Sequence, residues 1–412
     1  MTDPAWIEHA LASARPQAMS ALLRYFRDLD IAEEAFQEAC LKALSKWPQN
    51  GPPRDPVAWL IFVGRNSAID GVRRRSREQA LPDEEQLSDL EDRETEVAER
   101  IDAADYRDDV LRLLFICCHP ELPATQQIAL ALRIVSGLTV AQIARAFLVS
   151  ESAMEQRITR AKRRVAAATT TFETPSAADR AERLAAVTTM LYLVFNEGYS
   201  AAGESDGRAT LCDEAIRLTR LLSSLFRAEP ELMGLLALML LQHARTPARF
   251  AEDGTVILLD DQDRTRWRKP NIAEGLALVD KAIRHRAPGP YQVQAAIAAL
   301  HARAAAPADT DWTGIEQLYA TLERMQPSPV ITLNRAVAVS KTAGAQAALD
   351  LITPLADPLA GYFHFHGLRG NLLMQLGRSP EARAAFDQAI ALAGTAAEAA
   401  HIRAHLDRLT DA

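Results

Sequence analysis

The sequence has few of the features that mark secreted or membrane-embedded proteins. Its 412 residues include only four cysteines, without repeated C-x-x-C spacing, which excludes a disulfide framework and indicates a reducing compartment. No apolar run approaches the roughly 20 residues of a membrane-spanning helix, and the N-terminal Met-Thr-Asp-Pro lacks the shape of a signal peptide. We therefore expect a soluble, cytoplasmic protein with no membrane partner.

Aromatic residues are also scarce, at 6% of the chain, whereas Leu and Ala are abundant and many stretches show helical spacing. This composition predicts an all-α fold. A chain of 412 residues is expected to form two to four domains. The formal net charge of −8 argues against indiscriminate nucleic-acid binding, so the location of positive charge is informative.

Two helical segments about eighty residues apart carry dense arginine clusters. The first spans residues 59–75 and ends in Arg73, Arg74 and Arg75, and the second spans residues 149–164. Two basic helices on an acidic chain indicate two separate contacts with one polyanion. Cations also favour helix C-termini through the macrodipole, so a purely structural role of the first cluster stays open.

Amphipathic helices are predicted before the first cluster, because apolar residues recur at three- and four-residue intervals from Leu22 to Leu44. Asp30, with Glu33 three residues on, predicts a capping box at the start of the second helix. Pro48 and residues 51–53 are expected to break this helix. Asp55-Pro56 then begins the next one. Residues 78–105 are acidic with little apolar content, which predicts a flexible linker.

The second cluster ends a predicted helix-turn-helix motif. Thr139 caps a short helix, residues 147–150 turn the chain, and Ser150 caps a final helix. Met154 and Ile158 are expected to face inward. In a helix-turn-helix motif the second helix enters the major groove, and its arginines hold phosphates. A helical hairpin of unrelated purpose remains an alternative.

Both modules resemble the sigma-70 family. Residues 32–44 resemble conserved region 2.2, residues 59–75 resemble regions 2.3 and 2.4, and residues 108–166 resemble region 4. Regions 1.1 and 3 have no counterpart, as in the extracytoplasmic-function (group IV) sigma factors, and Met154 stands where that family usually has Val. The predicted domains are region 2 at 10–77, the linker at 78–105, region 4 at 106–172 and a helical extension at 180–412.

The resemblance implies roles for individual residues. Core RNA polymerase is expected to dock on Glu33, Glu34, Gln37 and Glu38, although ordinary solvated helix residues are the alternative. The loop from Lys46 to Asp55 is expected to form a pocket for a flipped base. Asp70 serves equally well as a structural partner of the arginines. The residues expected at the −10 element are Trp47, Asn66, Asp70, Arg73, Arg74 and Arg75. Those expected at the −35 element are Ser152, Gln156, Arg157, Arg160, Arg163 and Arg164.

The carboxy-terminal half shows a repeat. Leu318, Ile352 and Phe386 are spaced by 34 residues, which is the tetratricopeptide period and predicts stacked helix pairs from about residue 290. Three further helices without the repeat are expected upstream, at 191–199, 211–216 and 232–241. The chain thus resembles the sigma-factor subgroup with a tetratricopeptide-like extension, for which a protein or peptide partner is expected.

Other polar clusters have structural explanations that we prefer. Cys117, Cys118 and His119 lack a second ligand pair at zinc-finger spacing, so a buried cysteine pair is favoured over a metal site. Residues 260–267 are expected to form a loop between helices, with a ligand pocket as the alternative. Residues 196–199 form the most ligand-like group of this half, with turn and interface bonding favoured.

The sequence thus predicts an alternative sigma factor that binds core RNA polymerase and promoter DNA without cofactor, metal or catalysis. A helix-turn-helix regulator with a ligand- or peptide-sensing repeat domain is the second hypothesis, against which the region 2-like segment argues. An enzyme is the third, and the sequence shows no nucleophile-base pair, phosphate loop or metal constellation.

Overall fold

The fold is all-α, as predicted. The computed structural model describes residues 5–51, 53–76, 103–119, 121–147, 149–167, 177–200, 206–251, 257–394, 399–400, 402–403 and 405–406. Side chains are described over the same ranges except at residues 5, 50, 68–76, 103–108, 177–180, 200 and 206–210. Across the described ranges the regular structure is helical and no strand forms. Most of the predicted linker at 78–105 lies outside these ranges.

The chain divides into two compact units. Unit 1 comprises the residues up to 198 together with 207–218, and unit 2 comprises residues 199–206 and those from 219 onward. No helix within the described ranges is both long and apolar enough to cross a membrane.

Unit 1 begins with three helices that pack against one another: α1 (Ala5–Phe26), α2 (Leu29–Asn50) and α3 (Pro56–Ser76). Their apolar faces meet in a core that includes the fully buried Leu22, Phe36 and Leu60. Leu22 and Phe36 belong to the amphipathic pattern that the sequence predicted, whereas Leu60 was not named there. At Gly64 a Cβ would lie only 2.9 Å from the backbone oxygen of Ala35, so α2 and α3 approach closely there.

Two helix boundaries of this bundle differ from the prediction. The cap of α2 is Asp28, whose carboxylate accepts hydrogen bonds from the backbone N–H groups of Asp30 and Ile31, so the predicted capping box from Asp30 to Glu33 is wrong. Pro48 lies within α2 instead of ending it, since a proline in a last turn loses only one helical hydrogen bond. Asp55 caps α3 as predicted, accepting from the N–H of Val57 at 2.9 Å.

The second part of unit 1 contains four helices and a π-helical turn. They are α4 (Ala103–Cys117), α5 (Ala124–Ala131), the π-helical turn (Leu132–Ser136), α6 (Val140–Ala146) and α7 (Glu151–Ala167). Thr139 caps α6 in a complete capping box with Gln142, as its sequence predicted. The turn ends at Gly137, whose φ of 76° favours glycine.

Two long helices follow, α8 (Ala177–Ser200) and α9 (Asp206–Leu225). Unit 1 includes α8 up to Gly198 and the part of α9 from 207 to 218. The guanidinium of Arg183 on α8 lies 4.9 Å from the ring centroid of Phe115 on α4. The Sγ of Cys212 on α9 donates to the carbonyl oxygen of Phe195 on α8. These helices therefore contribute to the core of the amino-terminal half.

Within the described ranges, unit 2 continues with further α-helices. They are α10 (Pro230–Ala244), α11 (Lys269–Ile283), α12 (Pro290–Arg303), α13 (Trp312–Met325), α14 (Pro329–Thr342), α15 (Ala345–Ile352), α16 (Phe363–Gln375) and α17 (Ser379–Leu392). The helix α10 is apolar all round and is buried from Leu232 to Leu241, with α11 and α12 packed against it. A helix that is hydrophobic on every face belongs at the centre of a unit.

From α13 onward the helices follow one another as packed neighbours along the chain. The helices α13, α15 and α17 begin at residues 312, 345 and 379, a spacing of 33 and 34 residues. In the last pair a Cβ at Gly370 would lie 2.5 Å from the ring of Phe386, so the glycine lets α16 and α17 approach. Ile352 and Phe386, two of the predicted repeat positions, are fully buried.

Candidate nucleic-acid interface

The helix α7 has one apolar side that is buried and one polar side that is largely exposed. Its apolar side, which includes Met154, Ile158 and Val165, is buried and packs against α5 and α6. Its other side presents most of the predicted −35 residues together. Arg157 is half-buried, and the exposed residues are Ser152, Gln156, Arg160, Arg163 and Arg164.

Local hydrogen bonds fix the start and the course of α7. The Oγ of Ser150 accepts from the N–H of Ala153 at 3.3 Å, which satisfies a donor of the first turn as predicted. Arg160 donates from Nε to the carbonyl oxygen of Gln156, and Arg164 donates from Nη1 to that of Glu121. Both bonds leave other guanidinium donors on an exposed surface, where phosphates or base edges are suitable acceptors.

The helix α3 carries the predicted −10 residues. Asn66 is exposed, whereas the side chains of Asp70, Arg73, Arg74 and Arg75 lie outside the described part of the chain. The neighbouring Arg65 is exposed and its guanidinium lies 4.5 Å from the ring centroid of Tyr25, itself 49% exposed. The sequence interpretation missed this pair, because its two residues are forty positions apart.

Trp47 does not occupy the exposed loop that was expected. It lies within α2, is 2% exposed, and packs between the indoles of Trp6 and Trp59 at centroid distances of 6.1 and 5.3 Å. Because α2 continues to Asn50, only residues 51–55 connect it to α3. The expectation of a loop that begins at Lys46 is therefore wrong, and Trp47 is part of the core. Its assignment to the −10 element stays a prediction.

A second surface lies along one face of α2. Glu34 and Gln37 are exposed, as predicted, and Glu38 is half-buried. Leu41 and Leu44 continue the same face with 67% and 49% of their surface exposed. The sequence pattern had placed Leu44 with the apolar face and had not singled out Leu41, although Leu41 follows Gln37 by four residues and Leu44 follows Leu41 by three. Apolar side chains within an exposed polar face are typical of a protein–protein interface.

The two helices that carry these surfaces begin within regions that match known families. The family description "Sigma-70 region 2" matches residues 11–78, and "Sigma-70, region 4" matches residues 112–165. These two matches support a sigma-70 family factor. The two sigma-70 regions support a role in promoter recognition, and they imply core RNA polymerase and promoter DNA as partners.

The rest of the chain has fewer parallels. A family of unknown function, DUF6596, matches residues 183–283. An uncharacterized protein of Rhizobium meliloti (strain 1021) is 71% identical over 410 residues, which cover 99% of this chain and 97% of the relative. No solved structure shows a significant match.

Glu33 differs from the other predicted docking residues. It is 5% exposed, and its carboxylate pairs with Arg133 Nη2 at 2.9 Å and with Lys162 Nζ at 2.7 Å. Lys162 also reaches the carboxylate of Asp30 at 2.7 Å. Burial alone lowers the pKa of Lys162, but its hydrogen bonds to Asp30 and Glu33 outweigh burial and raise that pKa overall. We call these four residues the ion-pair cluster.

The environment of Cys117, Cys118 and His119 favours structural roles for these residues. Cys117 and Cys118 are buried as predicted, and burial raises the pKa of both thiols. His119 accepts at Nδ1 from the N–H of Glu121. Among the described residues no three His, Cys, Asp or Glu side chains group as metal ligands.

Residues 257–268 form an ordered connection within unit 2. Arg264 donates from Nη1 to the carbonyl oxygens of His301 and Ala304 at 2.8 and 2.6 Å, so it caps the C-terminus of α12. Its guanidinium also lies 5.0 Å from the ring of the buried Trp267. These bonds support the predicted loop between helices.

Tyr199 accepts hydrogen bonds from Arg245 at its hydroxyl and from Arg249 at its carbonyl oxygen, and thus takes part in interface bonding, as favoured from the sequence.

Proposed function

We propose that this protein is an extracytoplasmic-function (group IV) sigma factor that acts in the cytoplasm and carries a tetratricopeptide-like regulatory extension. Three features support the proposal: the resemblance of two short modules to this group, the exposed face of α2, and the basic face of α7. The observation that carries it is that one compact unit holds both a capped basic helix and an exposed helix with apolar anchors.

The docking surface in this proposal is the α2 face. Exposed carboxylates and amides at Glu34 and Gln37 supply polar contacts, and Leu41 and Leu44 supply apolar area that water leaves on binding. Interfaces combine an apolar centre with a polar rim in this way, and a few such residues carry most of the binding free energy.

The DNA contacts in this proposal come from α7 at the −35 element and from α3 at the −10 element. On α7, Gln156 and Arg157 in the amino-terminal half are assigned to base edges, whereas Arg160, Arg163 and Arg164 are assigned to phosphates. On α3, Asn66 and the arginines of its last turns are assigned to the −10 element.

Transcription with purified core RNA polymerase on a library of promoter fragments tests the proposal. The wild-type protein should direct initiation from a subset of fragments that share two sequence elements. A Glu34→Ala, Gln37→Ala, Leu41→Ala variant should remain folded but lose at least tenfold in affinity for core polymerase, because interface hot spots each cost about 2 kcal/mol. Glu8→Ala, which removes an exposed acid of α1, is the matched control and should bind like the wild type.

Two results would reject parts of this proposal. If the triple variant bound core polymerase as strongly as Glu8→Ala, the α2 face would not be the docking surface. If the wild type bound specific DNA but supported no initiation, a helix-turn-helix regulator would be the better interpretation.

The extension is proposed to bind a protein or peptide partner. Its support is the 33- and 34-residue spacing of α13, α15 and α17 together with the close approach of Gly370 and Phe386. Helix pairs stacked at this period form extended binding surfaces.

A further inference from the structure

The connection between α10 and α11 contains an arginine that uses only part of its hydrogen-bonding capacity. Arg264 donates from Nη1 to the carbonyl oxygens of His301 and Ala304 at the end of α12. Its Nε and Nη2 are buried, and they have no hydrogen-bond partner among the described residues. These two nitrogens lie on the same edge of the guanidinium, where they form a two-pronged donor for an oxyanion. We call them the Arg264 fork.

Other arginines of this protein show what such a fork binds. Arg220 donates to the carboxylate of Glu274 from Nε at 2.9 Å and from Nη2 at 2.6 Å. Arg378 donates to that of Glu381 in the same way, with both bonds at 2.7 Å. Both pairs are exposed, so water can serve as an alternative acceptor there. The Arg264 fork is out of contact with solvent, and a buried donor without an acceptor costs free energy. The need for an anion is therefore greater at Arg264.

The acids near Arg264 are bonded to other groups. Burial lowers the pKa of Arg264 and outweighs the nearby Asp260 and Asp309, which raise it. The carboxylate of Asp260 pairs with Lys341 Nζ at 3.0 Å. The carboxylate of Asp309 accepts from the N–H of Ala306 at 3.1 Å. Since neither carboxylate bonds to the fork, its acceptor has to come from outside the chain.

Further buried nitrogens lie around the same guanidinium. The Arg264 guanidinium lies 5.0 Å from the ring of Trp267, and Arg245 is near enough to lower its pKa. His301 is neutral near pH 7, because burial, together with Arg245 and Arg264, lowers its pKa to about 4. Within the described ranges each of these three neighbours has a buried side-chain nitrogen without a partner: Arg245 Nε, Trp267 Nε1 and His301 Nδ1. One bound anion can offer acceptors to several of these nitrogens at once.

The burial of these nitrogens limits the size of the occupant. Trp267 is 3% exposed, and the atoms of the fork are out of contact with solvent. A folded protein surface or a DNA duplex cannot reach donors at this depth. A small molecule can be enclosed there, because small-molecule sites bury most of their ligand. Trp267 and Trp312, whose ring lies 5.3 Å from that of His301, provide apolar surfaces for the rest of such a molecule.

We propose that unit 2 binds a small molecule with an oxyanion group, either a carboxylate or a phosphate, through the Arg264 fork. Arg245 adds positive charge beside the fork, and Trp267 and Trp312 line the site. The connection at 257–268 has to move for the ligand to enter. All of these residues belong to unit 2, whereas α2 and α7 belong to unit 1. The site is therefore independent of the proposed polymerase and DNA contacts.

Calorimetric titration of the full chain tests the site with three probes: inorganic phosphate, acetate and benzoate. Tris chloride buffer contains no oxyanion, and sodium chloride keeps the ionic strength constant, so that screening is the same in every titration. Saturable binding of at least one probe is expected. Binding of phosphate alone identifies a phosphate ligand, and binding of acetate or benzoate alone identifies a carboxylate. A preference for benzoate over acetate identifies a ligand whose apolar body contacts the tryptophans. If the full chain bound none of the three anions, the proposal would be wrong.

Substitutions in the connection locate the bound anion. Arg264→Lys keeps a cation and a donor for the carbonyl groups of α12 but removes the fork, so it should weaken binding of the best probe about tenfold or more. Arg266→Lys changes an exposed arginine of the same turn and is the matched control, which should bind like the wild type. Equal affinities of the two variants would place the anion elsewhere, for example on the basic face of α7, and would overturn the proposal.

A second variant decides the question if Arg264→Lys does not fold, since Arg264 also caps α12. Arg245→Gln retains a donor for the Tyr199 hydroxyl and removes the charge beside the fork, so it should weaken anion binding about threefold or more. Thermal unfolding shows which variants are folded. A folded Arg245→Gln protein with the wild-type anion affinity would contradict the site. Because none of these measurements involves transcription, a failure of this site and a failure of the proposed function are distinguishable.

Discussion

At the residue scale, the two proposed interfaces depend on side chains that are exposed where the rest of their helix is buried. Arg160 shows this on α7: it lies between the buried Ile158 and Ala161, yet its own side chain reaches solvent and bonds within the same helix to the carbonyl oxygen of Gln156. A phosphate contact and a solvated charge differ in how they affect the dependence of DNA affinity on salt.

Arg160→Ala should weaken promoter binding for all sequences alike and reduce the slope of log affinity against log salt by about 0.9, since one fewer counterion is released. Fluorescence anisotropy across a salt series measures both quantities. Arg227→Ala removes an exposed arginine just beyond the end of α9, where it bonds to the carbonyl oxygen of Ser224, and should leave the slope unchanged. Equal slopes for Arg160→Ala and the wild type would remove Arg160 from the DNA surface.

Gly234→Ala tests a close backbone approach in unit 2. A Cβ at this position would lie 2.6 Å from the backbone nitrogen of Gln292, so α10 and α12 must separate. Overpacking costs about 1–3 kcal/mol and exceeds the roughly 1 kcal/mol that alanine gains in a helix. Urea unfolding should show this loss. Gly361→Ala is the control, because a Cβ at this position meets nothing within 4 Å, and it should not lower the stability. Equal urea midpoints for the two variants would contradict the close packing at Gly234.

At the element scale, helix starts and amphipathic faces were predictable because their signals are local. The caps at Thr139 and Ser150 lie within three residues of the groups they bond. The position of Glu33 was not predictable, since its partner Lys162 is 129 residues away and periodicity carries no information about such pairs. The burial of Trp47 depends in the same way on Trp6 and Trp59, which come from two other helices.

The connection between α10 and α11 places two arginines near His301 of α12, and this predicts that the stability of the protein depends on pH. Burial, together with the nearby Arg245 and Arg264, lowers the pKa of His301 from 6.5 to about 4. Between these two values the unfolded chain binds more protons than the folded chain, so stability falls as the pH falls from 6.5 to 4. The loss is at most about 3 kcal/mol, by the conversion of about 1.4 kcal/mol per pKa unit.

Urea unfolding followed by tryptophan fluorescence measures this loss, because Trp312 is in contact with the His301 ring at 5.3 Å. His301→Gln should remove most of the pH dependence in this range, whereas replacement of the exposed His285 by Gln should preserve it. If the free energy of unfolding of His301→Gln depended on pH as strongly as that of the wild type, His301 would be excluded as the source of the pH dependence.

At the scale of the whole molecule, the matched family regions and the compact units do not end at the same residues. The DUF6596 match covers 183–283, yet residues 183–198 and 207–218 pack within unit 1. The all-α class was predictable from composition. The boundary between the two units was not predictable from the sequence, because no change in composition marks the middle of α9.

Two truncations separate packing from regulation. A chain ending at Leu225 keeps α8 and α9 and should retain a folded unit 1, whereas a chain ending at Thr171 loses the contact of Arg183 with Phe115 and should unfold at a lower temperature. If the extension regulates initiation, the 225-residue chain should differ substantially from the full chain in promoter-dependent transcription, in either direction. Identical rates in cells and with purified components would rule out a regulatory role.

The course of α9 also determines how such proteins can be recombined. One continuous helix supplies residues 207–218 to unit 1 and residues 219–225 to unit 2. A chimera that joins the promoter-reading half of one relative to the extension of another cannot be spliced cleanly near residue 180, because the donor would bring foreign residues into the recipient's core. A functional exchange has to preserve 177–218 with the amino-terminal half, so this extension is inherited as a partly shared structure and not as a detachable cassette.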